Sequence, residues 1–201
     1  MIKTEPAISV VPANEVSLED LRTIFGRRGE AARCQCQRYK LQPRESFASF
    51  PAEERAHRLR QQTDCGHPES GTTSGLVAYL DGEAVGWCAV EPRPAYLGLL
   101  RSYRVPWEGR AEDKNDDSVW AVTCFVTRVG FRKRGVSRAL AAAAVDFARE
   151  HGARAIEGYP ITTKEVILEE LHVGTEGVFT HAGFVEVSRP TLRRVVMRID
   201  F

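Results

Sequence analysis

The sequence predicts a mixed α/β domain built on a largely antiparallel sheet. Three observations carry that prediction. An Asp81-Gly82 pair sits between the apolar runs Ser74–Leu80 and Ala84–Glu91. Asp-Gly supplies the positive-φ residues of a tight primed turn, so these runs read as a hairpin. The run Val119–Thr127, VWAVTCFVT, is apolar on both faces and suits a central strand covered on both sides. A basic turn then leads directly into a long Ala-rich stretch with helical spacing.

The remaining elements follow in order. Ala7–Pro12 is a short apolar strand. Leu18, Leu21, Ile24 and Phe25 recur at helical spacing, with Ser17 as N-cap, Asp20 closing a capping box and Gly26 ending the helix. Residues 27–50 read as irregular, and Ala52–Gln62 as a polar helix started by Pro51. Pro92 and Pro94 stop the second hairpin strand, and residues 101–117 read as a charged, turn-rich loop. Val136, Ala139, Leu140, Ala143, Ala144 and Phe147 define the helix 136–151, capped by Gly152. Ala155–Tyr159 is a short strand closed by Pro160. Val178–Ala182 is a short helix ended by Gly183. Val185–Ser188 and Arg193–Ile199 pair as a hairpin around Pro190.

Composition bounds the function. The chain has 201 residues, 43% apolar and 27% charged, with formal net charge +1. These values describe one ordinary globular domain over residues 1–201, with no global field for nucleic acid or an anionic membrane. The N-terminus carries no signal-peptide pattern, and no run is long enough to span a bilayer. Five cysteines without a secretory signal fit a cytoplasmic protein with reduced thiols. Cys34 and Cys36 lack a second close Cys or His pair, so no metal site is expected.

The chemistry concentrates in Arg132-Lys133-Arg134-Gly135-Val136-Ser137. Gly135 lets the backbone turn sharply between strand and helix. The first amides of the helix then have no intrahelical acceptor, and the helix dipole adds partial positive charge. That combination suits phosphate. Arg128, Arg132, Lys133, Arg134 and Arg138 crowd the same turn. Gly130 to Ser137 also reads G-x-x-x-x-G-x-S, but a P-loop needs Lys where Val136 stands, which argues against a nucleotide triphosphatase.

Arg132-x-x-Gly135-x-Ser137 after an apolar strand resembles the Q/R-x-x-G-x-G/A signature of the GNAT superfamily of N-acetyltransferases. Glu157-Gly158-Tyr159-Pro160, Phe179-x-x-Ala182-Gly183-Phe184, Gly86-Trp87 with Pro92-Arg93, and Cys34-Gln35-Cys36 resemble a bacterial subgroup of that superfamily. The resemblance covers most of residues 15–199. It implies a sheet whose fourth and fifth strands splay to hold coenzyme A. It places the pyrophosphate on Arg132–Ser137 and a strand bulge that holds the pantetheine arm at about Phe125, Val126 and Thr127. The implied activity is acetyl transfer from acetyl-CoA to an amine of a small-molecule or peptide-like acceptor. The alternative is a non-catalytic acyl-CoA binding or sensing domain. Members are often homodimers, and this sequence shows no interface signature.

Many members use a Tyr as general acid at the position that is Phe179 here, and Phe179 cannot donate a proton. Tyr159 is the nearest substitute acid, and Glu157 on the same strand is the candidate base, acting through water. Glu91, at the end of the third strand, is a further candidate. Cys124 on the central strand reads as packing rather than as a nucleophile. His172 and His181 flank the short C-terminal helix; either could face the acceptor pocket, and surface placement is the commoner outcome for such residues.

Overall fold

The computed structural model describes residues 8–101, 104–162 and 166–201. Ala7, placed in the first strand from sequence, lies outside the described residues. Seven strands form the sheet: β1 Ile8–Pro12, β2 Gly75–Leu80, β3 Glu83–Pro92, β4 Val119–Thr127, β5 Ala155–Gly158, β6 Val185–Thr191 and β7 Arg194–Asp200. Their order is β1-β2-β3-β4-β5-β7-β6. Every neighbouring pair is antiparallel except β4–β5, which is parallel. The expected mixed, largely antiparallel sheet is therefore the observed one.

The helices are α1 Leu18–Phe25, α2 Gly29–Cys34, α3 Ala52–Thr63, α4 Leu97–Arg101, α5 Arg104–Trp107, α6 Val136–Glu150 and α7 Glu176–His181. Strand alternation sorts the core into two layers. Leu76, Ala78 and Leu80 of β2 pack with Leu140, Ala144 and Phe147 of α6 on one face. Val77 joins Leu21, Ile24 and Phe25 of α1 on the other. β4 is buried from Val119 through Phe125, as its double-sided apolar pattern requires.

Local signals set the element ends. The Asp20 amide donates to Ser17 Oγ at 3.1 Å, and the Ser17 amide donates back to Asp20 Oδ2, completing the capping box. Tyr79 Oη also donates to Asp20 Oδ2, tying α1 to β2. Asp81 and Gly82 take φ of 53° and 82°, as a primed hairpin turn demands.

Three expectations are corrected. Residues 27–50 are not wholly irregular, because α2 forms there; it buries no residue, so it has no apolar stripe to read. The stretch read as a charged loop contains α5, and α4 precedes it; both are too short for a helical period to register. The last hairpin turns at Leu192-Arg193, since Thr191 pairs with Arg194. Pro190 lies inside β6, which is an edge strand and can accommodate a residue with no N–H to donate.

Candidate functional site

β4 and β5 pair only from Val119↔Ala155 to Val122↔Gly158. Beyond that the strands part, and the β5-facing backbone of residues 123–127 is left without a strand partner. The β3–β4 register slips at the same place: Ala89 pairs with Cys124 and Val90 with Val122, which leaves Thr123 as the bulged residue. The bulge thus falls two residues ahead of Phe125. Phe179 plugs the floor of the opening. It is fully buried and meets Phe125 and Phe184 edge-on, with centroids 5.8 and 5.0 Å away. A Cβ on Gly158 would collide with its ring, so the small residue closing β5 is what admits this aromatic.

The basic turn follows β4. Gly135 is the N-cap of α6 at φ 85°, in the left-handed region that favours glycine. The amides of Arg138 and Ala139 both donate to Gly135 O at 3.0 Å. Among the described residues, the amides of residues 132–137 have no protein acceptor. Arg132, Lys133 and Arg134 form no ion pair among the described residues, whereas Arg128 is committed to Glu83 and to Ala84 O. Ser137 Oγ lies 3.4 Å from Thr127 Oγ1, joining the start of α6 to the end of β4. The result is a cradle of free N–H groups at a helix N-terminus, fringed by uncompensated cations.

One cavity adjoins this turn, and a second meets the first away from it. The first, about 660 Å³, runs from Arg132 and Ser137 along Cys124–Thr127 to α1 and α2. The second, about 730 Å³, is lined by Tyr39, Arg101, Tyr159 and Arg194 among others. Arg38, Glu169 and His172 line both, so they form the partition between them.

Glu157 is fully buried on β5. Its register partner across the β5–β7 pair is Arg198, whose Nη1 donates to Glu157 Oε1 at 2.7 Å. Arg93 Nη1 reaches Oε2 at 3.3 Å, and Arg110 donates to both oxygens. Tyr159 Oη donates to Oε2 at 2.9 Å. Glu112 adds a second carboxylate to the cluster, in contact with Arg93, Arg110 and Arg198. Burial opposes ionisation of Glu157, but hydrogen bonding and charge from Arg110, with the charge of Arg93, outweigh it and hold its carboxyl below the ordinary value. Burial, then the adjacent carboxylate, push the Tyr159 hydroxyl well above its ordinary value. The sequence brought Glu157 and Tyr159 forward as separate groups; in the fold they hydrogen-bond to each other. Glu91 pairs with Lys40 in a largely buried contact, and burial raises its carboxyl despite that partner.

The depressed carboxyls set a pH dependence of stability. A carboxyl held below its unfolded value contributes stability that is fully present above about pH 4.5 and is lost as pH falls through its folded value. Glu157 and Glu112 both act in this sense, so urea midpoints are expected to drop steeply below pH 4.5. A midpoint unchanged between pH 5 and pH 3 would contradict the network.

Cys34, Cys36 and Cys124 line the first cavity. A hydrogen bond with Cys36, then burial, raise the Cys124 thiol well above its ordinary value, so it stays protonated and weakly nucleophilic. Among the described residues, no group of three or more His, Cys, Asp or Glu side chains could hold a metal ion. None of the helices among them is long and apolar enough to cross a membrane.

A central sheet that opens between parallel β4 and β5, followed by an amide-lined turn into α6, defines a class of acyl-group transferases. The chain belongs to the acetyltransferase (GNAT) family, whose sequence pattern matches residues 37–162. The fold is shared with the protein yncA of Salmonella typhimurium, solved with its cofactor acetyl-CoA: TM-score 0.55, 12% identity, covering 96% of this chain and 94% of that one. An N-acetyltransferase of Staphylococcus aureus Mu50 aligns at TM-score 0.52 and 12% identity, covering 96% and 98%. The ribosomal-protein-alanine N-acetyltransferase of Brucella melitensis aligns at TM-score 0.52 and 15% identity, covering 97% and 99%. At these identities the likeness is one of fold. A search of curated proteins finds no match.

Sequence reasoning missed the partition. His172 sits on a 3-10 turn, Leu168–Val173, with no apolar period of its own. The sequence left His172 between the acceptor pocket and the surface, because a His in a Glu-rich segment has no period to place it.

Proposed function

We propose that this chain transfers the acetyl group of acetyl-coenzyme A to an amine of a small-molecule or peptide-like acceptor. The observation that carries the reading is the cradle of free amides at residues 132–137, with Arg132, Lys133 and Arg134 beside it. A pyrophosphate fits that chemistry, because helix N-terminal amides donate hydrogen bonds to anionic oxygens and guanidinium groups grip such oxygens in pairs. The β5-facing backbone of residues 123–127 offers hydrogen bonds to a pantetheine arm, and Phe125, Val126 and Thr127 line the cavity it would enter. The same backbone is placed to polarise a thioester carbonyl.

The second cavity suits the acceptor, because it meets the first at Arg38, Glu169 and His172. In this reading Tyr159 is a wall of the acceptor cavity and Glu157 positions it. With its carboxylate shared among Arg93, Arg110, Arg198 and Tyr159, Glu157 is better suited to holding that wall than to taking a proton.

The test pairs calorimetry with a thiol-release assay on spermidine, lysine, tyramine and an alanine-initiated tetrapeptide. Acetyl-CoA is expected to bind, and at least one amine to release thiol above the hydrolytic background. Binding without release on any amine would overturn transfer and leave a binding domain. Absence of binding would overturn the site itself.

A further inference from the structure

His172 stands on the partition between the two cavities, and its hydrogen bonding is unfinished. Nδ1 lies 2.7 Å from the carbonyl oxygen of Glu169. A carbonyl only accepts, so Nδ1 carries the proton. In the neutral ring, Nε2 then presents a lone pair. That nitrogen is shielded from water and has no hydrogen-bond partner among the described residues. Leaving a buried acceptor unsatisfied costs free energy, and such an atom calls for an explanation. The surrounding turn packs on β4: a Cβ at Gly174 would lie 3.0 Å from the Phe125 ring. The unpaired nitrogen therefore belongs to a residue beside the strand that faces the thioester in the proposed reading.

We propose that His172 Nε2 is the general base that takes the proton from the acceptor ammonium. The inference rests on the acetyltransferase reading and adds a residue to it. The ammonium N–H supplies the missing hydrogen-bond partner, and the proton passes to Nε2. The neutral amine nitrogen then attacks the thioester carbonyl carbon, forming the C–N bond. The tetrahedral adduct collapses, the C–S bond breaks, and the electron pair leaves on sulfur. A second nitrogen-borne proton ends on that thiolate, giving the amide and free coenzyme A thiol. His172 returns its proton to solvent.

The surroundings suit a base. Burial is the largest influence on the imidazole and pushes it below the ordinary value of 6.5. Arg38 and Arg194 push the same way, while the Glu169 carbonyl and Glu30 push back. Tyr39 lies across the ring, with centroids 6.4 Å apart, and the one titratable group that β4 contributes to the first cavity is the protonated thiol of Cys124. The ring is therefore neutral at pH 7, with its proton on Nδ1 and held by the Glu169 carbonyl.

The test uses His172→Asn, which keeps a donor near the Glu169 carbonyl and cannot take a proton, and His172→Ala with added imidazole. With the fastest amine of the panel above, both variants are expected to lose about 100-fold or more in kcat. Acetyl-CoA affinity should stay within about twofold. The wild-type kcat should fall on an acidic limb below pH 6.5, and that limb should vanish in His172→Asn. Imidazole should restore turnover to His172→Ala. In the unliganded protein, nitrogen NMR at pH 7 should show a neutral ring protonated on Nδ1. A kcat within threefold of wild type with the acidic limb retained, or a ring protonated on Nε2, would overturn the role of His172 alone. No thiol release by the wild type on any amine would overturn the acetyltransferase reading with it.

Discussion

Gly135→Asp is expected to weaken acetyl-CoA binding at least about 100-fold, a loss of about 2.7 kcal/mol. Space is not the obstacle, because a Cβ there would meet only Ile8 Cδ1, at 3.8 Å. Conformation and charge are. Gly135 holds φ 85°, a region that costs most L-residues about 1–2 kcal/mol. The new carboxylate would stand among the amides that cradle a pyrophosphate, and two like charges about 4 Å apart near a surface repel by about 4 kcal/mol at most. Gly135→Asn isolates the charge, because Asn and Asp tolerate the left-handed region alike. Asn tolerates the left-handed region and carries no charge, so its affinity should stay within about tenfold of wild type. Calorimetric titration of both variants decides the matter. Equal affinity in wild type and Gly135→Asp would show that the coenzyme does not use this turn.

Glu157→Gln should cost about 3–5 kcal/mol of stability, because it leaves buried guanidinium groups without their shared anion. Arg93, Arg110 and Arg198 would be left with Glu112, which is only partly buried, and Asp200 at the edge. In a chain of this size that loss corresponds to a melting temperature lower by on the order of 10 °C. Thermal unfolding followed by circular dichroism measures it. The variant should bind acetyl-CoA at temperatures where it is folded, since no member of the cluster belongs to the 132–137 turn. A stability loss below about 1 kcal/mol would mean that the arginines find other partners. Loss of turnover with unchanged stability would instead return Glu157 to the chemistry.

These two residues also mark how far the sequence could be read. Gly135 was legible because its signal is local. A buried strand, a glycine and an amphipathic helix follow one another within a few residues, and turn chemistry and helical period need no distant partner. The same holds for the Asp81-Gly82 hairpin and the Ser17–Asp20 capping box. Glu157 was legible as a residue but not as an environment. Its partners come from the end of β3, the segment after α5, and β7, and only the β5–β7 register sets Arg198 opposite it.

The sequence by itself determined the class of fold and the glycine turn at residues 132–137 that we propose for the coenzyme. Those follow from period, turn residues and spacing, which act over a few residues. The tertiary structure alone decided that Glu157 and Tyr159 hold each other, that Phe179 plugs the β4–β5 opening, and that His172 divides the two cavities with one nitrogen unpaired. Burial, ion pairing and an unsatisfied lone pair depend on what the sheet topology brings alongside, and no local pattern records that.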